Sequence, residues 1–388
     1  MTEPTRAIRA MTAPTGNSVI TGLVPALARA LDGAGPALLP LPTGANRRAL
    51  LDALRPDLPL EVDDVALVVP TSGSTGAPKG TLLTADAVRA SAAATHERLG
   101  GPGQWVLALP VTHVAGLMVL ARSLLARRSP QVVDVYGGFD VGAFAAATGR
   151  LDSQHPCYTS LVPTQLHRLL DAGADLTPYD AILLGGAAAP EPLLRRAAEA
   201  GAPVVVTYGM TETCGGCVYD GRPLDGVDVA LGDTGRVRIA GPILFSGYRL
   251  RPDLTAEALV DGRHLTHDLG RWAADGRLEI LGRTDDVIVS GGVNVSAARV
   301  EQVLNAHPDV RQCVVVGRLD DEWGEHVVAV IEVRAQRSVP SVDGLRAFAA
   351  RALEAAALPR ELVVVGALPM LAPGKPDRAG IRTLVAGS

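Results

Sequence analysis

The sequence predicts an α/β protein in two unequal parts: a large N-terminal α/β domain with a β-rich subdomain, then a small C-terminal α+β domain. Three observations carry this. Up to about Asp220, β-branched apolar runs alternate with amphipathic helical stretches, the pattern of a largely parallel sheet. After Asp220 the runs shorten and Gly, Asp and Pro separate them, which suits antiparallel structure. After Arg283 helical and strand patterns mix again to the end of the chain. The 388 residues leave room for two to three domains at roughly 150 residues each. The boundary is expected at 284/285, giving residues 1–284 and 285–388.

Residues 1–18 read as a loose tail, polar and interrupted by Pro and Gly. Leu23, Leu27 and Leu31 recur at helical spacing, so a helix is expected from Val19 until Asp32-Gly33 stops it. Val65 to Pro70 reads as a strand that runs straight into Thr71-Ser72-Gly73-Ser74-Thr75-Gly76. Thr84 is placed to cap the helix that begins at Ala85. Further strands are expected at 106–111, 132–135, 181–184 and 204–207, with helices at 116–126, 163–172 and 190–201 between them. Short strands follow at 227–229, 235–240, 264–266 and 277–281. The last part reads as a helix from Ser296 to His307, strands at 310–316 and 326–333, a helix from Val342 to Ala357 and a strand at 362–365.

Composition excludes several classes. Apolar residues make up 47% and charged residues 20%, so the chain as a whole is not disordered. The net charge of −5 argues against a protein dedicated to nucleic acid, which is usually basic. Four cysteines do not make a disulfide framework, and a reduced, cytoplasmic protein is expected. No apolar run reaches the roughly 18 residues of a membrane span, and the N-terminus has no apolar core of a secretory signal. Cys214-Gly215-Gly216-Cys217 invites a zinc or redox reading. Zinc needs four ligands and no second cysteine pair exists, so packing of small residues is the expectation.

The segment from Thr71 to Gly80 carries the sharpest chemistry. Gly73, Gly76 and Gly80 allow backbone amides to be exposed, while Thr71, Ser72, Ser74, Thr75 and Lys79 add hydroxyls and a cation. A polyphosphate needs those groups. It is not a Walker A loop, because Pro78 precedes Lys79 and Gly80 follows it.

This segment resembles the phosphate loop of the AMP-forming acyl- and aryl-CoA synthetases, the adenylate-forming enzymes. The resemblance continues in order. Leu109 to Gly116, with His113, resembles the motif before the acyl pocket; Leu184-Gly185-Gly186-Ala187-Ala188 resembles the adenine-side loop. Tyr208-Gly209-Met210-Thr211-Glu212-Thr213 is very close to the family signature. Thr266-His267-Asp268 resembles the ribose segment, Gly282 to Ile288 the hinge, and Pro373-Gly374-Lys375 with Arg378 the C-terminal lysine motif. The resemblance spans residues 60–380 and implies the adenylate-forming fold, shortened at the N-terminus: only 70 residues precede Thr71.

The resemblance implies a role for each motif. Thr71, Ser72, Gly73, Ser74, Thr75 and Lys79 would hold the β/γ-phosphates of ATP, with Thr211 a further contact. Glu212 would ligate Mg²⁺, which takes one or two carboxylates plus phosphate oxygens. Gly185, Gly186, Ala187, Tyr208 and Gly209 would line the AMP moiety, and Asp268 would accept from the ribose hydroxyls with Arg283 nearby. Lys375 would stabilise charge as the carboxylate attacks the α-phosphorus. Asp285 would be the hinge, and Ser290, Gly291 and Gly292 would line a tunnel for coenzyme A. His267 stands where the family usually has Gly, and Ala297 and Arg299 replace a Pro and an acidic residue around the hinge helix.

His113, Thr159, Ser160, Val162, Gln165 and Gly209 are expected around the acyl pocket. The stretch Tyr158 to Leu170 resembles the o-succinylbenzoate–CoA ligases of menaquinone biosynthesis, whose substrate carries a second carboxylate; Thr159, Ser160 and Gln165 are its candidate donors. The same stretch also reads as a helix start, with Pro163 in its first turn. The expected activity is therefore ligation of o-succinylbenzoate to coenzyme A with ATP and Mg²⁺. Another aryl or acyl acid, a carrier-loading adenylating enzyme and a non-catalytic nucleotide-binding relative are the alternatives. Expected partners are small molecules, the carboxylic acid, ATP and coenzyme A, with no nucleic acid and no membrane span; a homodimer is left open.

Overall fold

A computed structural model describes residues 7–44, 46–72, 78–371 and 375–387, with the backbone alone at Ser72, Asp285, Leu371 and Lys375. Its contacts divide it into two compact units. One comprises Met1–Ala189, Leu194–Ala230 and Arg238–Leu265; the other comprises Pro190–Leu193, Leu231–Val237 and Thr266–Ser388. Strands Arg263–Trp272 and Leu278–Arg283 pair as an antiparallel ribbon. By contacts alone, most of this ribbon groups with the C-terminal residues.

The first unit contains two sheets. In one, Ile8–Thr12, Ala37–Leu41, Val65–Ser72, Pro78–Thr84 and Gly247–Tyr248 lie in that order. The expectation of a loose tail through residue 18 is corrected here, because Ile8–Thr12 pairs in parallel with Ala37–Leu41. Ile8 and Ala10 pack on the cluster of Leu39, Leu41 and Val68. The strand is an edge strand with only partly buried side chains, so its sequence shows little apolar periodicity beside Pro14 and Gly16.

The second sheet has seven strands, in the order Arg222–Pro223, Gly215–Tyr219, Val204–Met210, Ala181–Leu184, Cys157–Leu161, Gln104–Leu107 and Gln131–Val132. The last five are mutually parallel, as the alternation of strand and helix predicts. Cys157–Leu161 is fully buried, yet its Thr and Ser hide it from a hydropathy pattern. Their polarity is satisfied inside the sheet: Thr159 Oγ1 donates to the Val106 carbonyl at 3.0 Å.

Helix Ala85–Arg98 begins as expected, with Thr84 Oγ1 accepting from the Ala87 amide at 3.1 Å. It buries Ala87, Val88, Ser91, Ala92 and Thr95, small residues that let helix Val114–Leu125 approach closely. Between them lies a buried polar group. Arg122 is 3% exposed, with its guanidinium 5.1 Å from the centroid of the Trp105 ring. Tyr219 Oη hydrogen-bonds Thr95 Oγ1 at 3.0 Å and sits 3.5 Å from Arg122 Nη2.

His96 is buried in the same group. Burial first, and the Arg122 charge second, push its pKa from 6.5 down to about 4. The unfolded chain therefore binds one more proton than the native state between those values, so stability is complete above pH 6.5 and falls as pH drops toward 4. Between pH 7.5 and 5 the loss from this residue is about 2 kcal/mol. Denaturant unfolding at the two pH values measures it. His96→Gln is expected to flatten that part of the profile, and an unchanged pH slope in the variant would refute the assignment.

Asp228–Leu231, Arg236–Ala240, Arg263–Trp272 and Leu259–Val260 form the short-stranded sheet expected after Asp220, with Leu278–Arg283 added on Arg263–Trp272. The division between the two units falls within its strands.

In the C-terminal unit, Val293–Ser296, Val287–Ser290, Gly324–Val333 and Val310–Asp320 form one sheet, with Glu361–Val365 parallel to Gly324–Val333. Both faces are covered, which explains the unbroken valine runs. Cys313, Val315, Val327, Ala329 and Ile331 face Val300, Leu304 and Leu345. Val314, Val316, Val328 and Val330 face Leu368, Ile381 and Val385. The helix expected to reach Ala357 ends at Ala349, and Ala355–Ala357 forms a separate 3₁₀ turn. The Ala352 and Leu353 amides both bond the Ala349 carbonyl, tightening the chain into a turn that an alanine-rich run does not announce. Among the described residues, no helix is long and apolar enough to cross a membrane.

Candidate nucleotide-binding site

Part of the expected site of the first unit gathers at the carboxyl end of the parallel sheet. Register pairs Val106 with Thr159, Leu161 with Leu184, and Leu184 with Val206. The segments carrying His113, Val162, Gly185-Gly186-Ala187 and Tyr208-Gly209 therefore all lie toward the carboxyl ends of adjacent parallel strands. Open α/β sheets bind ligands in the crevice outside those ends.

The phosphate segment enters on Val65–Ser72 and leaves on Pro78–Thr84, with Thr71 opposite Lys79 and Ser72 opposite Pro78. Gly73, Ser74 and Thr75 lie outside the described residues. Thr71 Oγ1 is buried and has no partner among the described residues, a donor left for a ligand. Lys79 Nζ lies 4.3 Å from the centroid of the Tyr248 ring.

Tyr248 also reaches the signature segment. Its hydroxyl donates to Glu212 Oε1 at 2.7 Å. Burial, with the Glu212 charge, pushes the phenol pKa up, so it stays protonated as a donor. Glu212 itself sits in the 3₁₀ turn Thr211–Thr213, with its carbonyl accepting from the Phe245 amide at 2.9 Å. Thr213 Oγ1 donates to Gly215 O at 2.7 Å and accepts from the Met210 amide at 3.0 Å, closing the turn. Cys214 ends it at φ +51°. Cys214 and Cys217 are buried and form no disulfide, and the described residues contain no cluster of three or more His, Cys, Asp or Glu able to hold a metal. Gly209 is required by packing: a Cβ there would collide with the Gly215 carbonyl across the antiparallel pair.

On the acyl side, His113 precedes helix Val114–Leu125 as its N-cap residue without a side-chain cap. Gln165 is held at both ends, donating from Nε2 to the Ala108 carbonyl at 2.7 Å and accepting from the Val162 amide at 3.0 Å. With Thr159 directed at Val106, two of the three candidate donors for a second carboxylate are tied to backbone, while Ser160 pairs through its backbone with Leu183 and makes no side-chain hydrogen bond among the described residues. Pro163 opens helix Pro163–Asp171 as its first residue, so the helix-start reading of this segment holds.

In the C-terminal unit, Asp268 and Arg283 face each other across the ribbon, with Arg283 Nη1 3.3 Å from Asp268 Oδ1. Asp268 is buried and its amide donates to Thr266 Oγ1 at 3.0 Å. His267 is exposed while its neighbours Thr266 and Asp268 are buried, so strand alternation turns the unusual histidine away from the Asp268 side. Ser290 and Val293 pair across Gly291-Gly292, whose φ values of +60° and +77° make the two-residue hairpin turn that glycines favour. A Cβ on Gly291 would lie 2.6 Å from Trp323 Cε3, whereas Gly292 faces open space. Asp285 lies in the 3₁₀ turn Thr284–Asp286, and its neighbour Asp286 pairs with Arg378 at 3.2 Å and Arg382 at 3.0 Å. Arg378 also pairs with Glu301 at 2.8 Å. Lys375 begins strand Lys375–Pro376, opposite Leu371.

Two family models match this chain: AMP-binding enzyme over residues 26–249, and AMP-binding enzyme C-terminal domain over residues 299–375. The chain belongs to the AMP-binding enzyme family. A curated relative from Mycobacterium tuberculosis (strain ATCC 25618 / H37Rv), named as a probable 2-succinylbenzoate–CoA ligase, is 48% identical over 98% of this chain and 99% of its own. Among solved structures, an o-succinylbenzoate CoA synthetase from Bacillus subtilis in complex with the acyl-adenylate intermediate superimposes with a TM-score of 0.78 at 26% identity, covering 98% of this chain and 88% of that one. Another structure of a B. subtilis o-succinylbenzoate coenzyme A synthetase, in complex with ATP and magnesium ion, gives 0.72 at 29% identity, with 82% and 70% covered. The first family model takes in Thr71 to Lys79, His113, Gly185, Glu212 and Tyr248; Asp268, Arg283 and Asp285 fall between the two models, and Lys375 ends the second. Two residues that tie distant segments of this AMP-binding enzyme together were not evident in its sequence. Tyr248 and Arg249 lie far along the chain from the loops they hold, in a Ser-Gly-Tyr-Arg stretch with no motif of its own.

Proposed function

We infer that this protein ligates 2-succinylbenzoate to coenzyme A in two steps through an acyl-adenylate. The observation that carries this is the near full-length match, at 48% identity, to the probable 2-succinylbenzoate–CoA ligase. The acid carboxylate attacks the α-phosphorus of ATP and pyrophosphate leaves; the thiol of coenzyme A then attacks the acyl carbonyl and AMP leaves. The reaction uses ATP, Mg²⁺ and coenzyme A. Glu212 suits Mg²⁺, since Tyr248 ties one carboxylate oxygen and leaves the other, and a single carboxylate is enough when phosphates supply the rest. Bound there, Mg²⁺ would offset the phosphate charge.

The remaining roles follow from the family pattern and the local geometry. Lys79, the Thr71 hydroxyl and Thr211 hold the phosphates; Gly185, Gly186, Ala187, Tyr208 and Gly209 line the AMP moiety. Asp268 accepts from the ribose hydroxyls with Arg283 paired beside it. Lys375 stabilises charge at the α-phosphate. His113, Ser160, Val162 and Gly209 border the acyl group, with Ser160 the best placed donor for the second carboxylate. Ser290, Gly291 and Gly292 lie along the path of the thiol. Asp285 is the hinge, a reading supported by its position between the two matched domains. A cytoplasmic setting supplies ATP and coenzyme A, and light scattering tests for a homodimer.

Pyrophosphate release across a panel of aryl and acyl acids tests the substrate. Release with 2-succinylbenzoate, ATP and Mg²⁺, and thioester only after coenzyme A is added, is the expected outcome. Release with a different acid and none with 2-succinylbenzoate would overturn the substrate assignment. Transfer to a carrier thiol but not to free coenzyme A would favour a carrier-loading enzyme.

A further inference from the structure

Tyr248 stands between two opposite charges. Its hydroxyl donates to Glu212 at 2.7 Å, and its ring face carries the Lys79 ammonium at 4.3 Å from the centroid. Lys79 forms no ion pair among the described residues, although the Glu212 carboxylate sits at the hydroxyl of the same ring. The ring is held firmly. Tyr248 is 6% exposed, its amide donates to Thr255 Oγ1 at 2.9 Å, and Phe245 packs on it with centroids 4.9 Å apart. Strand Gly247–Tyr248 pairs with Leu82 and Thr81, the continuation of the strand that carries Lys79.

An ammonium and a carboxylate held on one aromatic ring attract each other, and without the ring nothing among the described residues keeps them from pairing. Such a pair would take from Glu212 the oxygen a cation needs, and from the phosphates the charge of Lys79. A tyrosine in this position prevents it in two ways. The phenol fixes one carboxylate oxygen through a charge-assisted hydrogen bond. The ring face offers the ammonium a cation–π seat in place of the carboxylate.

We propose that Tyr248 is a positioning residue that keeps Lys79 and Glu212 apart and orients the Glu212 carboxylate for the divalent cation that accompanies ATP. It rests on the reading of Glu212 as the metal-side carboxylate, and the test separates the two. Mn²⁺ serves as the probe, its binding followed by electron paramagnetic resonance on the full chain with α,β-methylene-ATP, which cannot undergo adenylation. Tyr248→Phe keeps the ring and removes the hydroxyl. It is expected to weaken Mn²⁺ binding roughly tenfold, the scale of a hydrogen bond to a charged group. The melting temperature and the KM for the acid should stay unchanged, a pattern that lost packing would not give. Tyr248→Leu removes the ring as well and frees Lys79 to pair with Glu212, so its loss should be several times larger than that of the phenylalanine variant.

Glu212→Gln arbitrates. If Glu212→Gln leaves Mn²⁺ binding intact, the metal-side reading of Glu212 fails. If Glu212→Gln weakens Mn²⁺ binding while Tyr248→Phe does not, that reading stands and the positioning role of the hydroxyl is overturned. Equal losses in the phenylalanine and leucine variants would overturn the role of the ring.

Discussion

Lys375→Ala is expected to lower the rate of adenylation by roughly two to three orders of magnitude, the usual result of removing one group aimed at developing charge. Thioester formation from a chemically prepared acyl-adenylate should be nearly unaffected. The two steps make different demands. Attack of a carboxylate on the α-phosphorus builds negative charge on the phosphate oxygens, and a lysine there acts as a point charge. Attack of the thiol on an adenylate already made builds charge on the acyl carbonyl instead. The surroundings of Lys375 are built to place one residue. Strand Lys375–Pro376 pairs with Met370–Leu371, and Asp377 then caps helix Arg378–Ala386, accepting from the Gly380 amide at 3.0 Å. The first residue of that helix, Arg378, is anchored to Asp286 and Glu301. The lysine therefore emerges from a strand, a cap and an ion-paired helix start, next in space to the segment read as the hinge. Pyrophosphate release measures the first step and coenzyme A thioester formation from synthetic adenylate the second. Equal loss in both would contradict this division of labour.

What the sequence made legible was mostly local. The Thr84 cap, strand Ala181–Leu184 and the leucines at 23, 27 and 31 depend on neighbours within a few residues, and the structure has them as expected. The motif order was legible too, because backbone that approaches a nucleotide demands particular residues at particular places. What escaped were bonds across long stretches of chain. Thr159 and Gln165 looked like donors for a substrate, but their partners are carbonyls at Val106 and Ala108, on the strand that precedes them in the sheet or just beyond it. The Gly291-Gly292 pair suggested room for a thiol, and the first of the two is equally demanded by a tight turn and by Trp323. Ile8–Thr12 gave no signal because an edge strand with half-buried sides needs none. Tyr248 could have been found only by asking what holds Glu212, a question that spacing does not pose.

Arg249→Met is expected to destabilise the protein by about 3–5 kcal/mol, the range for removing one partner of a buried charged network. The Arg249 side chain is fully buried. Its Nε donates to the Leu54 carbonyl at 3.0 Å, Nη1 to the Pro59 carbonyl at 2.6 Å and to Glu61 Oε2 at 2.7 Å, and Nη2 to the carbonyls of Arg55 and Leu58 at 2.7 and 2.8 Å. Five donor contacts thus gather the turn from Leu54 to Glu61, four of them to backbone carbonyls, of which that of Arg55 also accepts from the Leu58 amide at 3.1 Å. Methionine fills much of the volume and satisfies none of them, and an unmet buried carbonyl costs about 1–3 kcal/mol. Arg249→Lys should recover part of the loss but not all, since an ammonium cannot reproduce the planar fork. Denaturant midpoints of the three proteins test this ranking; a methionine variant within 1 kcal/mol of the parent (the scale of an ordinary surface change) would refute it. The consequence reaches the nucleotide site through the backbone. The Arg249 amide donates to the Gly80 carbonyl at 2.7 Å and the Ser246 amide to the Leu82 carbonyl at 2.9 Å, so the residues flanking Tyr248 are bonded to the strand that presents Lys79. Loosening Arg249 should therefore raise the KM for ATP at temperatures well below the unfolding midpoint, while substitutions that destabilise the C-terminal sheet by the same amount should not.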